Sequence, residues 1–164
     1  MAGGALLVQR ISPAEPAALR LLRASDAYLA SLYPPESTHL EGAAALAAPH
    51  VAFFGAFVDG ELLGCGALKR MEDDGVYGEI KRVFVAPPHR GRGIARALMA
   101  QIEAHAADTG LRLLRLETGV RQPEALQLYR THGYRLRGPF GRYGPDPLSV
   151  FMEKTLEASP CKED

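Results

Sequence analysis

The alternation of apolar and polar positions is clearest in the middle of the chain. Val51 to Val58 is a continuous apolar run that predicts a strand, Asp59-Gly60 is a two-residue hairpin signal, and Leu62 to Met71 pairs back. Gly64 and Gly66 inside that second strand predict a bulge or a close backbone approach rather than central packing. Asp73, Asp74 and Gly75 turn into a strand from Val76 to Val85, so the centre reads as an antiparallel meander. Upstream, Ala5 to Ile11 predicts an edge strand. A helix capped at Ser12-Pro13 and closing near Ser31 follows, then a short alanine-rich helix capped by Ser37 or Thr38 that runs through Ala47. Downstream, Leu111 to Glu117 predicts a strand, and Gln122-Pro123 opens a short helix that Gly133 ends in the left-handed region. Tyr134 to Arg137 and Leu148 to Lys154 are the last strands, joined by a long glycine- and proline-rich loop.

The sharpest change of period lies between Glu79 and Met99. Val83 to Val85 is strand-like, Pro87 and Pro88 stop it, and Arg90 to Gly93 turns. From Ile94 onward, Ile94, Leu98 and Ile102 recur at four-residue spacing with Ala97 beside them, the pattern of a helix with one buried stripe. A glycine turn entering a helix leaves backbone N–H groups at the positive end of the helix dipole, which suits a phosphate or pyrophosphate. Arg90, Arg92 and Arg96 add charge around it. The spacing is neither that of a nucleotide triphosphate loop nor the three-glycine dinucleotide fingerprint. Taken alone, the same pattern also describes an ordinary tight turn.

Charge and composition then remove several classes. The 19 basic and 19 acidic side chains leave no overall field for nucleic acid or an anionic membrane, so any anion site must be local. The length suits one domain. Cys65 and Cys161 do not make a disulfide framework, and Cys65 reads as a small buried hydrophobe. The N-terminus lacks the features of a signal peptide and no stretch has membrane-spanning length, so the expectation is a soluble, cytoplasmic protein. His89 reads as a solvated turn residue and His132 as a helix-end cation. Neither has ligand partners at metal spacing, so no metal is inferred.

Two motifs carry a family resemblance. Arg90, Gly93 and Ala95 match the acetyl-CoA signature of the GNAT acetyltransferase superfamily, and Gln122, Ala125, Leu128, Tyr129, Gly133 and Tyr134 match its second landmark, with Gln122 where asparagine is usual. The order of predicted elements is also that of the GNAT fold. More closely, Y-P-P-E-S-x-H-L, G-E-I-K-R and L-E-T-G-x-R-Q-P-E-A-L are similar to the bacterial YsnE-like subgroup. The resemblance implies a single-domain α/β (α+β) fold over 1–157, with a mixed sheet of six to seven strands flanked by about four helices. Residues 158–164 read as a flexible tail. It further implies acetyl-CoA as co-substrate and direct transfer of its acetyl group to an amine.

By that resemblance, the Val83 N–H stabilises the developing negative charge on the thioester oxygen, and Phe84 and Val85 continue along the pantetheine arm. Arg90, Gly91, Arg92, Gly93, Ile94, Ala95 and Arg96 form the pyrophosphate turn, and Gln122 contacts the arm. Glu79 matches the general base of some members; four residues before Val83, it shares that residue's face if no bulge intervenes. It is otherwise a strand-end carboxylate paired with Lys81, Arg82 or Lys69, with water chains removing the proton. Tyr129 matches the acid that protonates the departing thiolate, and is otherwise a core tyrosine.

For the acceptor, the candidates are Tyr33, Ser37, His39, Arg82 and the loop from Phe140 to Tyr143. The Y-P-P-E-S segment is either a substrate-lining loop or a rigid connection, and Arg82 either a carboxylate clamp or a structural ion pair. The leading expectation is a small-molecule amine acceptor. Acetylation of protein lysines or N-termini, and a non-catalytic acyl-CoA-binding module, are the alternatives. Exposed strands near the C-terminus fit a homodimer.

Overall fold

The computed structural model describes residues 4–38 and 40–157. Its elements are β1 (Leu6–Arg10), α1 (Pro16–Leu32), α2 (Ala43–Leu46), β2 (Val51–Val58), β3 (Glu61–Met71), β4 (Tyr77–Val85), α3 (Ile94–Asp108), β5 (Leu113–Gly119), α4 (Pro123–Thr131), β6 (Arg135–Arg137) and β7 (Ser149–Thr155). They form one seven-stranded sheet of order β1-β2-β3-β4-β5-β7-β6 with helices on both faces. All neighbours are antiparallel except β4 and β5.

The meander forms as its turns dictate. Asp59 and Gly60 both have positive φ, as a type I′ hairpin requires. Alternate residues of β2 then face opposite ways: Ala52, Phe54 and Ala56 pack with the buried α3 stripe of Ile94, Leu98, Met99 and Ile102, while Val51 and Phe53 pack with Ala18, Leu21 and Leu22 of α1. Gly64 and Gly66 show the expected close approach, and the β3–β4 register shift falls at Gly66, but both sit within the packed centre of the sheet. A Cβ on Gly64 would lie 3.0 Å from Ile94 Cγ2, and one on Gly66 would lie 3.0 Å from Ile102 Cδ1. The glycines let α3 settle onto the middle of the sheet, where each large apolar side chain buried contributes about 1.5–3 kcal/mol.

Two caps differ from the sequence pattern. The long helix begins at Pro16 with Glu15 as N-cap, because the Ser12 hydroxyl accepts from the Ala14 N–H in a local turn instead. Gly42 caps α2, since Ser37 lies in a single 3₁₀ turn and the Thr38 hydroxyl donates back to the Pro34 carbonyl.

Two departures from regularity create the site. The β3–β4 register shifts between Cys65 and Ala67, opposite Arg82, which has φ 59°. A non-glycine residue in that region costs roughly 1–2 kcal/mol, so the surroundings must hold the bulge in place. The other departure is the parallel pair. β4 and β5 are in register only over Gly78–Ile80 and Leu114–Leu116, and beyond these residues they are no longer paired.

Candidate active site

Where β4 and β5 part, two cavities meet. One, of about 440 Å³, runs from the split to the N-terminus of α3. The other, of about 100 Å³, lies beneath Tyr33, Ser37 and Thr38 and reaches Glu79 and Tyr143. Val83, Gln122, Ala125 and Tyr129 line both.

The larger cavity fits a diphosphate-bearing ligand at its α3 end. Gly91 and Gly93 have φ of 80° and 79°, and Gly93 is the N-cap without a side-chain cap, so the first-turn N–H groups have no capping side chain to accept from them. A Cβ at either glycine would meet nothing within 4 Å, so glycine is required there for its backbone conformation rather than for packing. The groove is lined by Phe84, Val85, Arg90, Ile94, Ala95 and Arg96, all expected there, and also by Tyr28. Arg90 is committed: its Nε donates to the Val85 carbonyl at 3.0 Å, and its guanidinium lies 4.6 Å from the Tyr28 ring centroid. His89, expected to be a solvated turn residue, is half-buried and lines the groove, whereas Arg92 does not line it and lies 3.2 Å from His89 Nδ1.

A bulge at Arg82 does intervene between Glu79 and Val83, so the two do not share a face. Ile80 faces the α3 side before the bulge, and the extra residue sends Val83 and Val85 to that same side and Phe84 to the α1 side. Arg82 also turns towards α1, donating to Asp26 Oδ1 at 2.6 Å and to the Leu22 carbonyl at 3.1 Å. Of its two anticipated roles, the geometry contains the ion pair, with both terminal nitrogens committed to α1, although Arg82 also lines the smaller cavity. The Cys65 thiol donates to the Arg82 carbonyl at 3.4 Å, tying the other side of the bulge.

Glu79 is 4% exposed and borders the smaller cavity. Its Oε2 accepts from the Tyr143 hydroxyl at 2.5 Å and from Lys81 Nζ at 3.2 Å. Lys81 also lies 3.5 Å from Glu41 Oε1, which accepts from Lys69 at 2.8 Å. Burial pushes the Glu41 carboxyl up, but the two lysines outweigh it and leave it below the usual carboxylate range. Of the partners anticipated for Glu79, Lys81 is therefore the one it has. Tyr143 is a partner the sequence pattern missed.

The Tyr129 hydroxyl forms no hydrogen bond among the described residues and borders both cavities. Burial, then the nearby Glu117 charge, raises it well above a free phenol, so it stays protonated. Tyr33 lines the small cavity with its ring, but its hydroxyl is occupied. It donates to Gln122 Oε1 at 3.2 Å and accepts from the Arg121 N–H at 3.0 Å. Tyr33 thereby orients Gln122. Ser37 lines the cavity beside Thr38, and His39 lies outside the described residues.

This fold, with a split parallel pair opening onto a glycine turn at a helix N-terminus, defines an acyltransferase of the GNAT class. The chain belongs to the acetyltransferase (GNAT) family, which it matches over residues 18–134. It is 48% identical over 149 residues to the IAA acetyltransferase of Azospirillum brasilense, covering 91% of this chain and 97% of that one. To YsnE of Bacillus subtilis (strain 168), an uncharacterized N-acetyltransferase, it is 40% identical over 125 residues, covering 75% and 82%. A crystal structure assigned as an acyl-CoA N-acyltransferase from Klebsiella pneumoniae superposes with a TM-score of 0.77 at 36% identity, over 93% of this chain and 98% of that one. The protein is an N-acetyltransferase. No helix among the described residues is long and apolar enough to cross a membrane.

Proposed function

We propose that the protein transfers the acetyl group of acetyl-CoA to a primary amine of a small molecule, by direct attack in a ternary complex. The observation that carries this reading is the junction of the two cavities at Val83, Gln122, Ala125 and Tyr129. Donor and acceptor can enter from different sides and meet there. In favour of a small acceptor, the acceptor cavity is only about 100 Å³ and is covered by Tyr33, Ser37 and Thr38 rather than open as a peptide groove. A relative named for acetylating IAA points the same way.

Acetyl-CoA supplies the activated acetyl thioester at that junction. The α3 N-terminus and Arg96 hold the diphosphate, Phe84 and Val85 offer strand backbone to the pantetheine arm, and Gln122, oriented by Tyr33, contacts it. The Val83 N–H, next to the bulge that breaks the β3–β4 ladder, donates to the acyl oxygen as negative charge develops there. An alkyl ammonium, with a pKa near ~10, must lose a proton before it attacks, and Glu79 receives it. Tyr129 donates to the departing sulfur.

The test is an amine panel assayed by release of free thiol: amino acids, amino acid amides, tyramine, spermidine and an aminoalkylphosphonate, alongside lysine peptides. Thiol release dependent on a small amine is expected. Thiol release without acceptor dependence, or a preference for the peptides, overturns the reading. Gly93→Glu checks the donor site by calorimetry. Its side chain projects into open groove, so the protein should fold with a loss of about 1–2 kcal/mol from the positive φ. Acetyl-CoA binding should be lost, and retained binding would refute the cradle.

A further inference from the structure

Behind Glu79 lies a third cavity, of about 740 Å³, lined by residues that include Lys69, Tyr77 and Arg142. Glu79, Lys81 and Tyr143 line both this cavity and the acceptor cavity, so together they form the partition between the two. All three are hydrogen-bonded to one another: the two contacts to Glu79 Oε2 are joined by Lys81 Nζ to the Tyr143 hydroxyl at 3.1 Å.

We infer that Tyr143 is a positioning residue for acetyl transfer. Its hydroxyl, with the Lys81 ammonium, fixes Glu79 in the partition, so that the carboxylate takes the acceptor's proton on one side and gives it to water on the other. The inference rests on Glu79 being the base. In the first step one N–H bond of the ammonium breaks, its electron pair stays on nitrogen, and an O–H bond forms at Glu79. In the second that proton passes to water in the third cavity, and the carboxylate is restored.

The segment that carries Tyr143 is built for precision. Between β6 and β7 the chain folds back over the sheet, and Phe140, 3% exposed, anchors it. The Phe140 ring lies 5.6 Å from Tyr77, 5.8 Å from Phe151 and 5.1 Å from Tyr143, and the Tyr143 N–H donates to the Phe140 carbonyl at 3.0 Å. Gly141 makes the turn at φ 57°, where a Cβ would approach the Tyr77 hydroxyl to 2.9 Å. Burial, then the Glu79 charge and the hydrogen bond to it, keeps the Tyr143 phenol protonated and therefore a permanent donor. A short O–H···O⁻ bond of this kind is directional, so it selects one carboxylate orientation.

The experiment is Tyr143→Phe in the full chain, alone and with Glu79→Gln, assayed with acetyl-CoA and the fastest amine of the panel. The phenylalanine ring keeps the aromatic packing. The expected loss in kcat is about 10- to 100-fold, the range for a hydrogen bond to a charged group. The acetyl-CoA KM should stay within about two-fold, because Tyr143 does not line the donor groove. With Glu79→Gln already present, the same substitution should cost less than about three-fold, since its charged partner is gone. A structural role for Tyr143 would cost the same in both backgrounds, and that result would overturn the inference. If Tyr143→Phe does not fold, Lys81→Met removes the other donor to Oε2, and the same coupling to Glu79 is expected. Glu79→Gln at full rate would sink the base assignment and the inference with it. A slow Glu79→Gln beside an unchanged Tyr143→Phe would sink only the role of Tyr143.

Discussion

Gly119→Ala is the most quantitative test of how the acceptor side is held. Gly119 ends β5, and a Cβ built there would lie 1.9 Å from the Tyr33 hydroxyl oxygen and 2.2 Å from Cζ. No rotation of one bond clears both atoms, so the buried ring must move. Doing so breaks the bonds from Tyr33 to Gln122 and from Arg121 to Tyr33. Each is worth about 1 kcal/mol net, and displacing a ring that is 7% exposed adds a packing loss, for a total of about 2–4 kcal/mol. In a chain of 164 residues that corresponds to a fall in Tm of roughly 5–15 °C. Urea unfolding with an unchanged m value measures it directly. Tyr33→Phe removes the hydrogen bonds without the collision and should cost only about 1–2 kcal/mol. In the double variant the two losses should sum to less than their separate values, because the hydroxyl is the atom the new methyl meets first. Gly119→Ala within about 0.5 kcal/mol of wild type would show that Tyr33 does not tie the end of α1 to the β5–α4 turn.

Two further outcomes follow from the site and the core. Tyr129→Phe should lower kcat about 10- to 100-fold while leaving acetyl-CoA binding, measured by calorimetry, near wild type. The effect should not be larger. Burial holds the phenol above its ordinary pKa of 10.0, so complete proton transfer to a thiolate near ~8.5 is uphill by at least ~2 kcal/mol, and Tyr129 acts through its hydrogen bond. An unchanged rate removes it from the reaction. The Cys65 thiol is pushed by burial from 9.0 up to about 12. Its folded pKa exceeds its unfolded one, so its contribution to stability is complete below about pH 9 and is lost between there and about pH 12. The slope is up to about 1.4 kcal/mol per pH unit, and alkaline urea titrations of wild type and Cys65→Ala should differ by it. Iodoacetamide at pH 8 should leave Cys65 unmodified until denaturant is added, and rapid labelling of the native protein would contradict the burial.

The order of elements and the donor side were largely legible in the sequence. The run from Glu79 to Met99 contains its own strand, stop, glycine turn and helix, and the interactions that shape it are local. Positive φ at Gly91 and Gly93 is a property of those residues, and the four-residue stripe of α3 needs only an apolar face to pack on. Gly64 and Gly66 were visible too, as the close approach, here of α3, and the bulge that falls at Gly66.

The acceptor side depends on distance in space. Nothing near Arg82 marks it for positive φ; the bulge forms there because β3 pairs with β4 and the Cys65 thiol and α1 hold the strained residue from either side. Tyr33 and Gln122 are 89 residues apart, and Tyr143 and Glu79 are 64 apart. Tyr143 reaches Glu79 because the sheet adopts the order β5-β7-β6 and the loop after β6 folds back across it, and Tyr33 meets Gln122 because the end of α1 lies against the β5–α4 turn. Local pattern therefore determined that a glycine turn leads into a helix terminus suited to an anion, since both are made within a few residues. What surrounds the reacting amine was decided by strand register and loop packing, because a buried carboxylate takes as partners whichever side chains the tertiary fold brings within hydrogen-bond reach.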